Sequence, residues 1–112
     1  MISQIRPADL ESWLQQHQGA RPIVLDVREP WEIETAHVKV SGFELVSIPM
    51  AAIPARLAEL QKDRPIACLC HLGGRSMQVA MFLEHHGFED VTNLAGGIHA
   101  WSLERDPAVP MY

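Results

Sequence analysis

The sequence is poor in cysteine. Only two occur in 112 residues, Cys68 and Cys70, and on an extended segment both side chains point to the same face of the strand. One closely spaced pair excludes a disulfide framework and leaves too few ligands for a structural zinc site, which usually takes four from spaced pairs. We therefore expect no metal site, and the two thiols are left to cysteine chemistry or to packing.

Positive charge and long apolar runs are also scarce. The 9 lysines and arginines face 14 acidic residues, and the net charge of −5 would repel a phosphate backbone rather than attract it. No segment approaches the ~20 apolar residues that span a bilayer, and the first residues lack the basic patch and apolar run of a secretory signal. We expect a cytoplasmic protein with no nucleic-acid partner and no membrane partner.

Apolar residues are present in the amount that one domain needs. They make up 47% of the 112 positions, which is enough for a single core without disulfide support. The chain contains no internal repeat and no low-complexity tract that would indicate a solenoid or disorder. We expect one domain over residues 1–112, present as a monomer or a weak dimer.

Short apolar runs alternate with segments of helical spacing along the chain. The runs at 23–27 and 66–70 are too short for helices and strongly apolar, which favours buried strands. The alternation predicts an α/β fold, a mostly parallel sheet with helices on both faces. The predicted strands are 23–27, 44–48, 66–70 and 91–94, and the predicted helices are one beginning at Pro7 and those at 29–36, 51–60, 75–86 and 98–103.

The loop after the 66–70 strand carries the candidate chemistry. Parallel sheets bind ligands where strands end and helices begin, and Cys70 has this position. Gly73 and Gly74 can adopt backbone angles that other residues resist, so that successive amides form an anion-binding nest. The next helix N-terminus and the Arg75 guanidinium add positive potential and favour a nucleophilic thiolate. The predicted site residues are Cys70 as nucleophile and His71, Leu72, Gly73, Gly74, Arg75 and Ser76 as binding residues.

Three motifs, in order along the chain, match the signatures of one known family. The loop reads Cys-x-x-Gly-x-Arg-Ser from Cys70 to Ser76. Residues 25–32 read Leu-Asp-Val-Arg-Glu-Pro-Trp-Glu, with His37 shortly after, and residues 91–101 form a third motif with a Gly-Gly pair. With the order of strands and helices, the match covers nearly the whole chain. The sequence therefore resembles the single-domain rhodanese family.

The resemblance implies about five mostly parallel strands and a two-step sulfurtransferase reaction without a cofactor. A donor such as thiosulfate gives its outer sulfur to Cys70 as a persulfide, and cyanide or a thiol then removes it; a protein can take the place of either small molecule. By the same resemblance, the loop amides from His71 to Ser76 hold the persulfide and Arg75 contacts the donor. Ion pairs near the mouth are expected to support the site through Asp26, Arg28 and Glu32.

The first signature departs from the family pattern after residue 35. The family continues with Gly-His-Ile, a Gly-Ala pair and Asn-Ile-Pro, whereas this chain reads Ala-His-Val-Lys-Val-Ser-Gly-Phe-Glu at 36–44 and closes with Ser-Ile-Pro at 47–49. We expect a longer turn here. Because the segment is distant in sequence from the Cys70 loop, the difference concerns local structure rather than the chemistry.

Two residues near the nucleophile have alternative interpretations. Cys68 lies inside a strand, where core packing is the ordinary role of a free cysteine and a resolving thiol is the alternative. His71 is either a base or proton donor, or a residue that lines the wall of the site and faces solvent.

Other functions fit the same loop. The residues are compatible with a protein-to-protein persulfide carrier as well as with an enzyme. Cell-cycle phosphatases and arsenate reductases share this fold and a cysteine–arginine loop, but the phosphatases place five residues between the two, whereas four separate Cys70 from Arg75. A non-catalytic rhodanese-like binding module often lacks the cysteine, which is present here.

Overall fold

The computed structural model describes residues 2–112, and its centre is one sheet of five parallel strands in the order β1-β5-β4-β2-β3. The α/β class predicted from the alternation is therefore confirmed. The strands are β1 (Ser3–Ile5), β2 (Ile23–Asp26), β3 (Glu44–Ser47), β4 (Ile66–Leu69) and β5 (Val91–Leu94).

The edge strand β1 was not expected from the sequence. It has three residues, two of them exposed, and it pairs with β5 from Ser3 opposite Thr92 to Ile5 opposite Leu94. A strand this short and polar has no alternating apolar pattern to indicate it. Its place in the sheet depends on pairing with a segment almost 90 residues away.

Within residues 2–112, four α-helices and three short 3₁₀ turns connect the strands, and a fifth α-helix follows β5. The segment predicted as one helix at 51–60 is instead a 3₁₀ turn, the four-residue α3 and a second 3₁₀ turn. Pro54 is the second residue of α3 and has no N–H to continue a helical ladder from the preceding turn. The helices are α1 (Leu10–Gln16), α2 (Pro30–Thr35), α3 (Ile53–Arg56), α4 (Gly74–His85) and α5 (Gly97–Glu104), and the 3₁₀ turns are Pro7–Asp9, Met50–Ala52 and Leu57–Glu59.

The central strands β2 and β4 are buried at every residue. Alternate side chains enter two apolar layers, because successive residues of a strand point to opposite faces. Leu25 and Cys68 pack with α3 and α4 on one face, and Val24 and Leu69 pack with α1 and α5 on the other. Helices therefore cover both faces, as the sequence predicts. No helix within residues 2–112 is long and apolar enough to cross a membrane.

The carboxyl ends of the inner strands bring the sequence motifs together. Asp26 at the end of β2 is paired with Leu69 at the end of β4, and Cys70 follows directly.

The segment 36–43, where the chain departs from the family pattern, has no regular structure but buries Ala36, Val38 and Phe43 in the second layer. The unusual turn is thus packed into the core, away from Cys70.

Candidate active site

The Cys70 sulfur lies under the first turn of α4. Its Sγ accepts a hydrogen bond from the Gly73 amide at 3.1 Å, and the Ser76 hydroxyl lies 3.2 Å away. Within residues 2–112, Gly73 is the loop residue whose amide bonds to the sulfur. Cys70 as a whole is only 1% exposed, so that a reagent meets the sulfur through the loop rather than at an open surface.

The two loop glycines have different roles. Gly73 has φ +109°, and a Cβ on it would lie 3.1 Å from the Gly96 nitrogen, so that only glycine turns its amide toward Cys70 without strain. Gly74 is the first residue of α4, has no positive φ, and would meet nothing within 4 Å if it carried a Cβ. Both glycines could adopt backbone angles that other residues resist, but of the two only Gly73 does so.

Asn93 anchors the loop from β5 and was not expected from the sequence. It is 1% exposed. Its Oδ1 accepts a 2.6 Å hydrogen bond from the Ser76 hydroxyl, and its Nδ2 donates to the Gly73 carbonyl at 3.1 Å and to Gln4 at 3.2 Å. The single Ser76 hydroxyl proton therefore has two acceptors within reach, Asn93 Oδ1 and the Cys70 sulfur at 3.2 Å. A polar amide inside a buried strand is the signal that could have identified it.

The N-terminus of α5 holds the loop from the other side. The Ile98 amide donates to the Cys70 carbonyl at 2.9 Å, and the His99 amide donates to the His71 carbonyl at 3.1 Å. A Cβ on Gly97 would lie 2.4–2.5 Å from these two carbonyl oxygens. The Gly-Gly pair of the third motif therefore permits a close backbone approach that fixes the loop.

Arg75 forms a bidentate ion pair with Glu32 of α2. Its two outer nitrogens lie 2.7 and 2.8 Å from Oε1 and Oε2 of a carboxylate that is 3% exposed. The same carboxylate accepts from the Glu29 amide at 3.0 Å and from the Tyr112 hydroxyl at 2.7 Å. The Arg75 hydrogen bonds are the largest cause that lowers the pKa of Glu32 to about 2, and the pair in turn raises the pKa of Arg75.

A second ion pair lies fully buried beneath the first. Arg28 donates to both oxygens of Asp26, at 2.9 and 2.8 Å, and also to the Ala36 carbonyl at 2.8 Å and the Tyr112 hydroxyl at 3.0 Å. Burial acts to lower the pKa of Arg28, but its bonds to Asp26 and Tyr112 outweigh that effect and raise it. The pair fixes the segment between β2 and α2, and Glu32 reaches Arg75 from α2, the helix that follows.

Aromatic side chains surround the mouth of the site. The His71 ring stacks on Tyr112 with centroids 4.0 Å apart and planes 10° from parallel, and Trp31 meets Tyr112 edge-on at 6.2 Å. Trp31 is 61% exposed, and Leu72 in the loop is 62% exposed. The structure therefore places His71 against a tyrosine that no motif in the sequence had identified.

The comparisons with known proteins agree with this geometry. A family model described as Rhodanese-like domain matches residues 8–104. The chain belongs to the rhodanese-like domain family. A protein of Allochromatium vinosum named sulfurtransferase is 34% identical over 110 residues, which cover 97% of this chain and 96% of that protein. The rhodanese-like domain protein of Staphylococcus aureus has a solved structure that matches with a TM-score of 0.76 at 26% identity, over 99% of both chains.

Other rhodanese-like relatives are longer proteins. The chloroplastic rhodanese-like/PpiC domain-containing protein 12 of Arabidopsis thaliana is 42% identical over 91 residues, 80% of this chain but 30% of that protein. The chain spans less than a third of the length of the first curated relatives it matches. What such a whole protein does therefore does not transfer to this rhodanese-like domain.

The second cysteine of the domain has surroundings unlike those of Cys70. Cys68 is 0% exposed and belongs to the apolar layer that packs against α4. Burial, and then the neighbouring Cys70, raise the pKa of the Cys68 thiol. A buried thiol that resists ionisation is a poor nucleophile, which agrees with the core-packing interpretation.

Proposed function

We propose that this rhodanese-like domain is a sulfurtransferase that carries a sulfane sulfur on Cys70 as a persulfide. The observation that supports it best is the position of Sγ at the N-terminus of the 12-residue helix α4, with the Gly73 amide at 3.1 Å and the Ser76 hydroxyl at 3.2 Å. Helix N-termini and converging donors stabilise anionic sulfur. Both the thiolate and the persulfide are anions of this kind.

The reaction consists of two displacements at sulfur. The Cys70 thiolate attacks the outer sulfur of thiosulfate; the new S–S bond forms as the old one breaks, and sulfite leaves with the electron pair. Cyanide or a thiolate then attacks the outer sulfur of the persulfide, and the Cys70 thiolate is restored. No net oxidation and no cofactor is needed, because the sulfane sulfur only changes partners.

The remaining loop residues have binding roles in this proposal. Loop amides and the Ser76 hydroxyl hold the extra sulfur, and Arg75 offers a planar fork of donors for the oxygens of an anionic donor. His71 and Leu72 form the wall at the mouth. Asp26, Arg28 and Glu32 support the site by fixing the position of Arg75.

A persulfide carrier that exchanges sulfur with another protein is the second candidate. The observation that favours it is the pair of large apolar side chains at the mouth, Trp31 and Leu72, each more than 60% exposed. Such side chains beside a buried nucleophile suit contact with a protein surface better than with a small hydrophilic anion. The chemistry at Cys70 is the same in both cases.

A steady-state assay separates sulfur transfer from phosphate chemistry. With thiosulfate and cyanide, we expect thiocyanate to form in wild type and in Cys68→Ala, and to fall to the uncatalysed rate in Cys70→Ala. An aryl phosphate should not be hydrolysed, because four residues between Cys70 and Arg75 make a small loop. Phosphatase activity that depends on Cys70, without thiocyanate formation, would overturn the proposal.

A further inference from the structure

The Arg75 guanidinium already holds an anion from its own chain. Glu32 occupies both outer nitrogens in a bidentate pair, at 2.7 and 2.8 Å. An anionic donor that binds through the same two N–H groups must therefore displace the carboxylate. Two anions, one internal and one external, compete for a single cation beside Cys70.

Release of Arg75 would leave the Glu32 carboxylate without its cation. The residue is 3% exposed, and an unpaired buried charge is strongly unfavourable. Two donors remain, one for each oxygen: the Glu29 amide at 3.0 Å to Oε1 and the Tyr112 hydroxyl at 2.7 Å to Oε2. These two hydrogen bonds gain importance when the guanidinium leaves, because fewer donors then share the charge.

The Tyr112 hydroxyl is held so that its proton points at Glu32. Its oxygen accepts a hydrogen bond from Arg28 at 3.0 Å, and Arg28 is itself fixed by Asp26. Because a guanidinium has no acceptor, the tyrosyl proton goes to the carboxylate. The ring is fixed as well, by its stack on His71.

We propose that Tyr112 is a positioning residue that sets how readily Arg75 exchanges Glu32 for an anionic donor. The inference rests on the proposed function, since it concerns the donor that delivers sulfur to Cys70. Tyr112 favours the exchange by stabilising the released carboxylate, whereas Glu32 opposes it by competing for Arg75. Reagents without charge do not need the exchange.

Two alkylating reagents of similar size test this proposal, because only the charged one is expected to bind Arg75. Iodoacetate is an anion and iodoacetamide is neutral, and each transfers its carbon to the Cys70 thiolate with loss of iodide. The measured quantity is the ratio of their second-order rate constants at Cys70, located by peptide mapping. In Tyr112→Phe, which keeps the ring, we expect this iodoacetate-to-iodoacetamide ratio to fall about threefold or more. The reason is that the released Glu32 carboxylate then lacks the hydrogen bond from the tyrosyl hydroxyl.

Removal of the competing carboxylate should have the opposite effect. Glu32→Gln should raise the same ratio about threefold or more, because the neutral amide holds Arg75 less tightly. A purely structural loss would change the ratio in the same direction in both variants. The Michaelis constant for thiosulfate should follow the ratio inversely, rising in Tyr112→Phe and falling in Glu32→Gln.

Two controls place the effect on Arg75. In an Arg75→Ala background, Tyr112→Phe should no longer change the ratio. Glu59→Gln removes a carboxylate from an exposed pair with Arg56 and should leave the ratio as in wild type. The inference is overturned if Tyr112→Phe leaves the ratio unchanged, if it lowers the ratio equally without Arg75, or if Glu32→Gln lowers it.

The outcome is separable from that of the proposed function. The alkylation ratio is measured without any sulfur transfer, so that failure of the thiosulfate assay leaves it readable. Conversely, thiosulfate activity that depends on Cys70 together with an unchanged ratio in Tyr112→Phe would keep the proposed function and remove this inference.

Discussion

At the scale of single residues, the loop depends on positions where nothing larger or differently shaped fits. Gly97 approaches the Cys70 and His71 carbonyls so closely that a Cβ would lie 2.4–2.5 Å from their oxygens, and it has φ +59°. Gly74, only a few residues from the nucleophile, has open space and a helical backbone. The two glycines therefore form a matched pair for testing which contacts hold the loop.

Substitution of these glycines by alanine should have different effects on stability. We expect Gly97→Ala to reduce the free energy of unfolding by about 3 kcal/mol or more, from overlap with backbone and the positive φ. Gly74→Ala should leave it unchanged or raise it by about 0.5 kcal/mol, because alanine is the better helix former. Urea unfolding followed by circular dichroism measures both, and equal losses would contradict the close approach at Gly97.

The residues of the site could be predicted only where a motif contains them. Cys70 and Arg75 follow from the loop pattern, and Glu32 from the first signature. Asn93 lies within the third motif, but its bonds to Ser76 and Gly73 depend on how β5 is placed beside β4. Tyr112 lies outside every motif, so that only the three-dimensional structure brings it to His71.

At the scale of elements, one carboxylate joins α2 to α4. Glu32 accepts from the Glu29 amide in the capping box at the start of α2 and pairs with Arg75 in the first turn of α4. The sequence predicts both helices from local signals: Pro30 and good helix formers for α2, and Gly87 as the stop after α4. It does not predict β1 or the broken α3, since a short polar edge strand depends on its neighbour and Pro54 interrupts an otherwise helical pattern.

The Glu32 pair should make part of the stability depend on acid pH. The folded pKa of Glu32 is about 2, against 4.5 for an ordinary glutamate. Because the folded value is the lower one, the stabilisation is fully present above about pH 4.5 and is lost as the pH falls toward 2. Arg75 is about one third exposed, so we expect a screened contribution of about 1–2 kcal/mol.

Urea unfolding of wild type and Glu32→Gln at pH 7 and pH 3 measures this contribution. The difference in free energy of unfolding between the two proteins should be clearly smaller at pH 3. The control is Glu59→Gln, whose exposed pair with Arg56 should contribute little at either pH. A Glu32→Gln difference that is equal at both pH values would contradict a charge-dependent link between α2 and α4.

At the scale of the whole molecule, the sheet order decides what meets at the site. β4 lies between β5 and β2. Asn93 on β5 therefore anchors the loop that follows Cys70, and the Asp26–Arg28 pair lies at the end of β2, on the other side of β4. The alternation of strands and helices predicts this class of sheet, and the family resemblance implies about five strands. Tyr112 bonds to Glu32 at the mouth of the site although the two are 80 residues apart in the sequence. No local sequence pattern predicts that contact.

The most direct test of the persulfide on Cys70 is intact-mass spectrometry after incubation with thiosulfate and removal of excess donor. Wild type and Cys68→Ala should each gain the mass of one sulfur atom, and the gain should disappear on addition of cyanide. Cys70→Ala should gain nothing. A sulfur adduct that persists in Cys70→Ala, or that is absent from wild type with every sulfane donor tried, would contradict a sulfurtransferase centred on Cys70.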